Sequence, residues 1–580
     1  MESHEIEAKK MFLEQKWDEA LPLYLQLFAA NPKNIRYCAS LGEIYTCLGE
    51  LEQGIEFFQK AVPLLKSLVN PTAKEIELLG TLYLLCGLSF RKLQRMDSAI
   101  ESLQESARIR PACQDPYLVL GNIHFEMGEY AKALEVFQNA VQIAPDDCSA
   151  WMTIAHIAHI AKDYPQTVSA AREVLRLDPH AEQAQILLAE SLQADADFSA
   201  AIPYFESMIS RNPHHVRALY GYGQSLLANG ELERGWLGFE ARRLCEPGTW
   251  NHHFLPDWNG ECVKEDSVLA YGEGGVSSEI LFASCLRELA ENVGHCYVEC
   301  NPILYSLFVR SFPNMTIVRA SDQPIVPDQF PGVYWDTQVA FGSLPRFFRA
   351  DFNRFPESHS PYLIPAPGKT ARWKKRLAER RGQRKIGILW EGSWSPEPAE
   401  QRRMAIDTLE TLLATPACDD VCWVSLQHGS RQKAWQELCE QSSANVEFFP
   451  EAFTADLDDL AAMIASLELV ITPSGFQAHL AAALGVPCWV ILPRVCDWRW
   501  HLSKSNSPWY PDVRLFHQIP DESVEQLTQR ILVAFHSYLH YNKAYPTYFV
   551  PFATSALEGG KLETNRNKKN AGDFWDRRVS

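Results

Sequence analysis

The chain has 580 residues, 46% of them hydrophobic and 22% charged, and carries a net charge of −18. That length exceeds what one hydrophobic core serves, so two or three domains are expected. The acidic balance excludes a general binder of nucleic acid or anionic membrane, while leaving room for a local basic pocket. The fifteen cysteines are scattered, odd in number and never spaced C-x-x-C. This excludes a zinc ribbon and a secreted disulfide framework, and they read as small buried hydrophobes in a reducing compartment. Met1-Glu2-Ser3-His4-Glu5 lacks the basic-then-apolar pattern of a signal peptide, and no apolar run reaches about 18 residues. No membrane span is expected, and a cytoplasmic location is.

From the N-terminus the dominant signal is a period. Pro111, Pro145, Pro179 and Pro213 stand 34 residues apart. Gly87, Gly121, Ala155, Ala189 and Gly223 share one small-residue slot. Ala99, Ala133, Thr167, Ala201 and Gly235 share a second, and Leu103, Phe137, Ala171, Phe205 and Phe239 a third. Small residues let two helices approach, the bulky residue four positions on fills their seam, and the proline ends each second helix. The grid reappears in Ala20, Tyr24, Pro32, Gly54 and Phe58, with about eleven extra residues near Asn70-Pro71. About seven units fit into 1–245, the last one degenerate. The pattern resembles the tetratricopeptide repeat, which implies an α-solenoid whose concave surface holds a protein partner.

The period fades near Cys245. A stretch with Trp250, Pro256, Trp258 and Gly260 reads as a linker packed by aromatics. Strands are then expected at 268–271, 296–299 and 317–319, with helices over about 279–292 and from Pro302. A second series predicts strands at 385–390, 422–427, 469–472 and 488–492. Its helices fall at about 406–415, 431–442, 457–466, 475–484 and 523–539. This strand–helix rhythm predicts α/β architecture with two parallel, Rossmann-like halves, 246–365 and 366–545. A Pro/Phe-rich region, 341–367, suits an interdomain linker, and 546–580 reads as a polar, disordered tail.

The best local site is the turn Pro473-Ser474-Gly475. Ser474 suits a helix N-cap, Gly485 a C-terminal cap, and the N–H groups of Gly475 and Phe476 suit a phosphate or diphosphate. His479, one turn further in, suits either a bond to phosphate or simple packing. The stretches 457–464 and 478–485, and above all Asp497-Trp498-Arg499-Trp500 followed by Ser507-Pro508-Trp509-Tyr510-Pro511, resemble the bacterial heptosyltransferase-like (glycosyltransferase family 9-like) proteins that carry tetratricopeptide arrays. Gly387-Ile388-Leu389-Trp390-x-Gly392, Ser425-Leu426-Gln427-x-Gly429 and Gly230-x-Leu232-x-x-Gly235-Trp236 extend the resemblance over most of the chain.

The resemblance implies a GT-B fold, of two Rossmann-like halves, that moves a sugar from a nucleotide sugar, with no cofactor and no metal. The implied acceptor is a protein such as a flagellin, pilin or adhesin held by the repeats. The half 246–365 would face the acceptor and 366–545 the nucleotide sugar. The implied phosphate and donor contacts are Arg402, Gln427, Ser474, Gly475, Phe476 and His479, with Trp498, Arg499 and Trp500 lining the cleft. Trp509 is a further cleft candidate, Arg403 stands beside Arg402, and Glu391 is a weaker acid–base candidate. Two departures stand out. The family's usual acid in the first turn is Ser278 here, leaving Glu273 and Glu279 as substitutes, and the acid at the donor helix is Ser474. A serine does not accept a proton near neutral pH. A second expectation therefore stands beside the enzyme: a catalytically degenerate scaffold that retains only a nucleotide-sugar-like pocket. A glycolipid acceptor fits less well, because it needs no long repeat array.

Overall fold

A computed structural model describes residues 2–245, 255–321, 335–356, 361–390, 406–414, 420–427, 444–453, 456–500, 505–519 and 522–541. The first 239 residues form helix pairs: α1 (Glu2–Leu13) and α2 (Trp17–Ala30), α3 (Ile35–Cys47) and α4 (Leu51–Lys66), α5 (Ala73–Lys92) and α6 (Met96–Ile109), α7 (Asp115–Glu126) and α8 (Tyr130–Ile143), α9 (Cys148–Ile160) and α10 (Tyr164–Leu177), α11 (Glu182–Ala194) and α12 (Phe198–Arg211), and α13 (Val216–Asn229) and α14 (Leu232–Phe239). The seven pairs match the periodicity. Helices α6, α8, α10 and α12 each stop two residues before the repeating proline. The extra residues near 66–76 are not all loop, because α5 absorbs part of them by running for 20 residues. Its start is fixed by a capping box in which Thr72 and Glu75 satisfy each other's backbone N–H.

The small slots do what the spacing implied. A Cβ on Gly121 would lie 2.5 Å from the Phe137 ring, so α7 and α8 touch through glycine. Gly121→Val is expected to force that ring off its rotamer and cost roughly 1–3 kcal/mol, read as a lowered thermal midpoint, while Gly128→Ala, at a turn glycine with open space but positive φ, costs only its backbone strain. First helices of successive pairs also touch each other, α3 with α5, α5 with α7, α9 with α11 and α11 with α13. The first helices therefore line the shorter, inner side of the solenoid.

Two parallel sheets follow. The first contains β1 (Val263–Tyr271), β2 (Val293–Cys300), β3 (Thr316–Arg319) and β4 (Thr337–Ala340) in the order β3-β2-β1-β4. The second contains β5 (Arg384–Ile388), β6 (Val421–Ser425), β7 (Val446–Glu447), β8 (Leu469–Pro473), β9 (Cys488–Leu492) and β10 (Val513–His517) in the order β10-β9-β8-β5-β6-β7. Every pairing is parallel. In each sheet the chain winds outward and then crosses back, so a switch point lies between β1 and β4 and another between β5 and β8.

Alternation along the strands of the second sheet feeds two cores. Ile386, Ile388, Leu469, Ile471 and Trp489 pack under helix Val524–Tyr541. Val424, Val470, Cys488 and Val490 face the other way. That second face belongs to one continuous apolar cluster that also takes in the first sheet and Leu227, Leu232, Trp236 and Phe239 at the end of the array. Array and α/β body are therefore joined by core, not by a tether. Of the two linker expectations, the aromatic packing of the first holds at Trp258, which lies 4.8 Å from Phe347, while residues 246–254 lie outside the described residues, and the second, at 341–367, is corrected. Residues from Leu255 lie along β4, with the Trp258 N–H on the Gln338 carbonyl at 2.7 Å. Within 341–367, Leu344, Phe355, Tyr362 and Leu363 are buried in the shared cluster, because the two sheets would otherwise expose apolar faces there. The expected helix at 431–442 and the tail 546–580 lie outside the described residues.

Candidate functional site

The first turn sits where β1 ends. Gly274 adopts a left-handed conformation and helix Gly275–Phe282 starts beyond it. Glu273 points toward the end of β4, where its Oε1 accepts the Gly342 N–H at 2.6 Å. The same carboxylate is gripped by Arg242, whose Nη2 lies 2.5 Å and Nε 3.1 Å from Oε1. Arg242 comes from the short helix Arg242–Cys245 at the end of the array. It also donates to Glu240 at 3.0 Å and to the Ser343 hydroxyl at 2.9 Å. All the partners lie at or near the switch point between β1 and β4. The carboxyl ends of β1 and β4, where this topology places a ligand, thus carry an ion pair that fastens the repeats to the body. Glu273 is corrected as a free carboxylate: the Arg242 guanidinium engages both its oxygens, and the Gly342 N–H one of them.

Glu279 lies one turn into the helix, buried over Gly272, where an added Cβ would meet its carboxyl carbon at 2.5 Å. Its Oε2 accepts the Asn301 N–H at 2.8 Å, just past the end of β2. Burial raises its pKa to about 7; the Asn301 N–H pulls the other way, and the charges of Glu299 and Glu273 add to the rise. That proton affinity suits acid–base work near neutrality. Ser278 is buried beside Gly274.

Across the seam, helix Phe476–Ala483 packs on helix Gly275–Phe282. The expected cap is corrected. Gly475, extended at φ 160°, is the cap residue, and no side chain caps the helix. Ser474 instead accepts the Trp500 indole N–H at 3.0 Å. His479 stacks on Trp500, with ring centroids 4.8 Å apart and planes 19° from parallel, and its Nδ1 is 3.1 Å from the Tyr510 hydroxyl. Tyr510 reaches Tyr362 at 3.3 Å, and Tyr362 donates to the Ile280 carbonyl at 2.8 Å. Burial, with Arg499 nearby, drives the His479 pKa down to about 3, so the ring is neutral and buried among aromatics. Of its two readings, packing is the one this geometry fits.

The tryptophan segment is corrected as well. Trp498 packs on Trp236 at 5.4 Å and Phe239 at 5.3 Å, and Trp509 on Trp236, Phe282 and Phe355. Arg499 pairs with Asp497 at 2.5 Å and lies over Trp498 and Phe282. These side chains fill the junction of array and body, because the large apolar ends of α13 and α14 need aromatic partners. Trp236 completes the joint by donating to the Arg349 carbonyl at 2.8 Å. Gln427 is buried just past β6, with its N–H on Ser425 Oγ at 3.3 Å. Phe476 is buried at the helix start. Arg402, Arg403 and Glu391 lie outside the described residues. Sequence reasoning missed Arg242, Glu240 and Ser343. The Arg242-Arg243 pair just past the last repeat was the available signal.

The fold and joint define a class: a tetratricopeptide-repeat solenoid built into an α/β body. Residues 35–63, 115–147 and 186–235 each match a profile described as tetratricopeptide repeat. Among curated proteins, the chain is 28% identical over 309 residues to Protein FlbA of Caulobacter vibrioides, an alignment covering 50% of each. The aligned part of the chain thus spans about half the length of that relative. Among solved structures, MamA is 22% identical, with 30% of this chain and 94% of that chain covered and a TM-score of 0.27. YrrB is 18% identical, with 34% and 96% covered and a TM-score of 0.29. The C-terminal part of a repeat protein from Cytophaga hutchinsonii is 15% identical, with 42% and 95% covered and a TM-score of 0.33. No described helix is long and apolar enough to cross a membrane.

Proposed function

We propose that the chain is a protein-binding scaffold: the repeats hold a partner polypeptide on their inner face, and the α/β body is a fixed base for them. The observation that carries this reading is the Arg242–Glu273 pair. It sets a side chain of the array against the carboxyl ends of β1 and β4 and engages both oxygens of that turn's leading acid. The core shared by array and body adds to it, since it holds the inner face in one position relative to the strand ends. A second reading, sugar transfer from a nucleotide sugar to hydroxyls of the bound protein in a GT-B body, is favoured by one observation: Glu279, whose raised pKa suits a general base, at the ends of β1 and β2. Thermal melting with a panel of nucleotide sugars separates the two. The scaffold predicts an unchanged midpoint. A rise of several degrees, the response to roughly a 100-fold excess over Kd, supports the second reading.

A further inference from the structure

The seventh helix pair and the six before it are held in different ways. Helices α13 and α14 pack on the body, α13 against Trp498–Trp500 and α14 against helix Leu344–Phe348, and they place Leu227, Leu232, Trp236 and Phe239 in the shared core. The six earlier pairs draw their cores from the array, in clusters that contain no residue of the body. In a solenoid each unit packs only on its neighbours. The packing of α12 on α13 is therefore the pivot at which those six pairs can turn against the base.

An ion pair spans that pivot. Arg494, exposed just past β9, reaches the turn between α11 and α12 and pairs with the Asp195 carboxylate at 2.7 Å. The same Nη2 lies 3.4 Å from the Asp195 carbonyl. Asp195 is the C-terminal cap of α11, so the guanidinium also stands at the negative end of that helix, where a cation is favoured. The turn differs from its counterparts. Each pair holds one residue in the left-handed region between its helices: Gln15, Gly49, Gln94, Gly128, Lys162, Ala196 and Gly230. Ala196 carries the Cβ that penalises this backbone, without the polar side chain of Gln15, Gln94 or Lys162. Such strain persists where the surroundings fix the backbone, and this turn is the one Arg494 grips.

We propose that Asp195 and Arg494 form a releasable latch: closed, it holds the six earlier pairs at one angle to the body, and open, it lets them swing about the packing of α12 on α13. The two side chains are 52% and 48% exposed. The latch therefore has the modest strength of a surface ion pair, and it shifts the ratio of closed to open by about fivefold at most. Salt moves that ratio toward the open form by screening the pair. The latch is independent of whether the body is a fixed base or a sugar transferase.

The test is single-molecule energy transfer in the full chain, between dyes on unnatural side chains at the exposed positions Lys33 in the array and Lys374 on the body. The wild type is expected to show a main narrow distance and a minor broad one, with the broad fraction rising about twofold between about 50 and 500 mM salt. Arg494→Asp sets two carboxylates against each other. It should raise the broad fraction at low salt by about twofold or more, and salt should now lower that fraction, because it screens a repulsion. Asp195→Arg combined with Arg494→Asp restores an ion pair and should return the wild-type distribution. A wild-type distribution indifferent to salt overturns the proposal without any variant having to fold. So does a charge-swapped protein that stays as broad as Arg494→Asp, since the single variant then acts through something other than this pair.

Discussion

Arg242→Ala is expected to lower stability by about 3–5 kcal/mol, the usual result of removing one partner of a buried ion pair. The loss follows from what stays behind. Glu273 would keep only the Gly342 N–H among its described partners, and Glu240 and Ser343 would lose their shared cation. Arg242→Lys should recover only part, because an ammonium cannot span Glu273, Glu240 and Ser343 as the guanidinium fork does. Arg242→Ala with Glu273→Gln should lie closer to the wild type than Arg242→Ala alone, since the more deeply buried of the two carboxylates left without their cation is then neutral and only Glu240 stays charged. Denaturant melts of the four proteins provide the check. Equal stability of Arg242→Ala and wild type would mean that the joint is not built on this pair.

Glu279→Gln should act in the opposite direction, and only at high pH. The folded pKa of about 7 lies above the ordinary value of 4.5, so folding favours the protonated form. The stability this contributes is complete below about pH 4.5 and is lost as pH rises through 7. A gap of about 2.5 units corresponds to roughly 3 kcal/mol. Glutamine keeps an acceptor for the Asn301 N–H and has no charge to desolvate. The variant is therefore expected to match wild type near pH 4 and to exceed it by up to about 3 kcal/mol at pH 8. Stability curves at several pH values decide this, and a wild type more stable than the variant at pH 8 would contradict the assigned burial. The same variant bears on the second functional reading, because a glutamine cannot accept a proton.

The array was legible because its signal is redundant. One small-residue slot recurs five times, and each proline marks a helix end that sterics require. The strands with strong β-branched and apolar runs, such as Leu469–Pro473 and Cys488–Leu492, were legible for the same reason. The strand Thr337–Ala340 was not, since four residues carry little pattern and its register is set by β1. The site was read less well, because its residues are bound from far along the chain. Nothing local to Glu273 announces an arginine 31 residues earlier, and nothing local to Ser474 announces the indole 26 residues later. The family resemblance placed Trp498, Arg499 and Trp500 beside a cleft, whereas Trp498 buries the apolar end of the array and Trp500 packs on His479 beside Ser474. Acid-to-serine departures at positions 278 and 474 were visible in the sequence, and the structure adds that both serines are buried.

The central claim is that the chain holds a protein without modifying it, and the most direct measurement is the intact mass of a partner recovered in complex with the full chain from cells that supply nucleotide sugars. The scaffold account predicts a mass equal to that of the partner expressed alone. A sugar-sized increment, present with the wild type and absent with Glu279→Gln at equal partner binding, would contradict it.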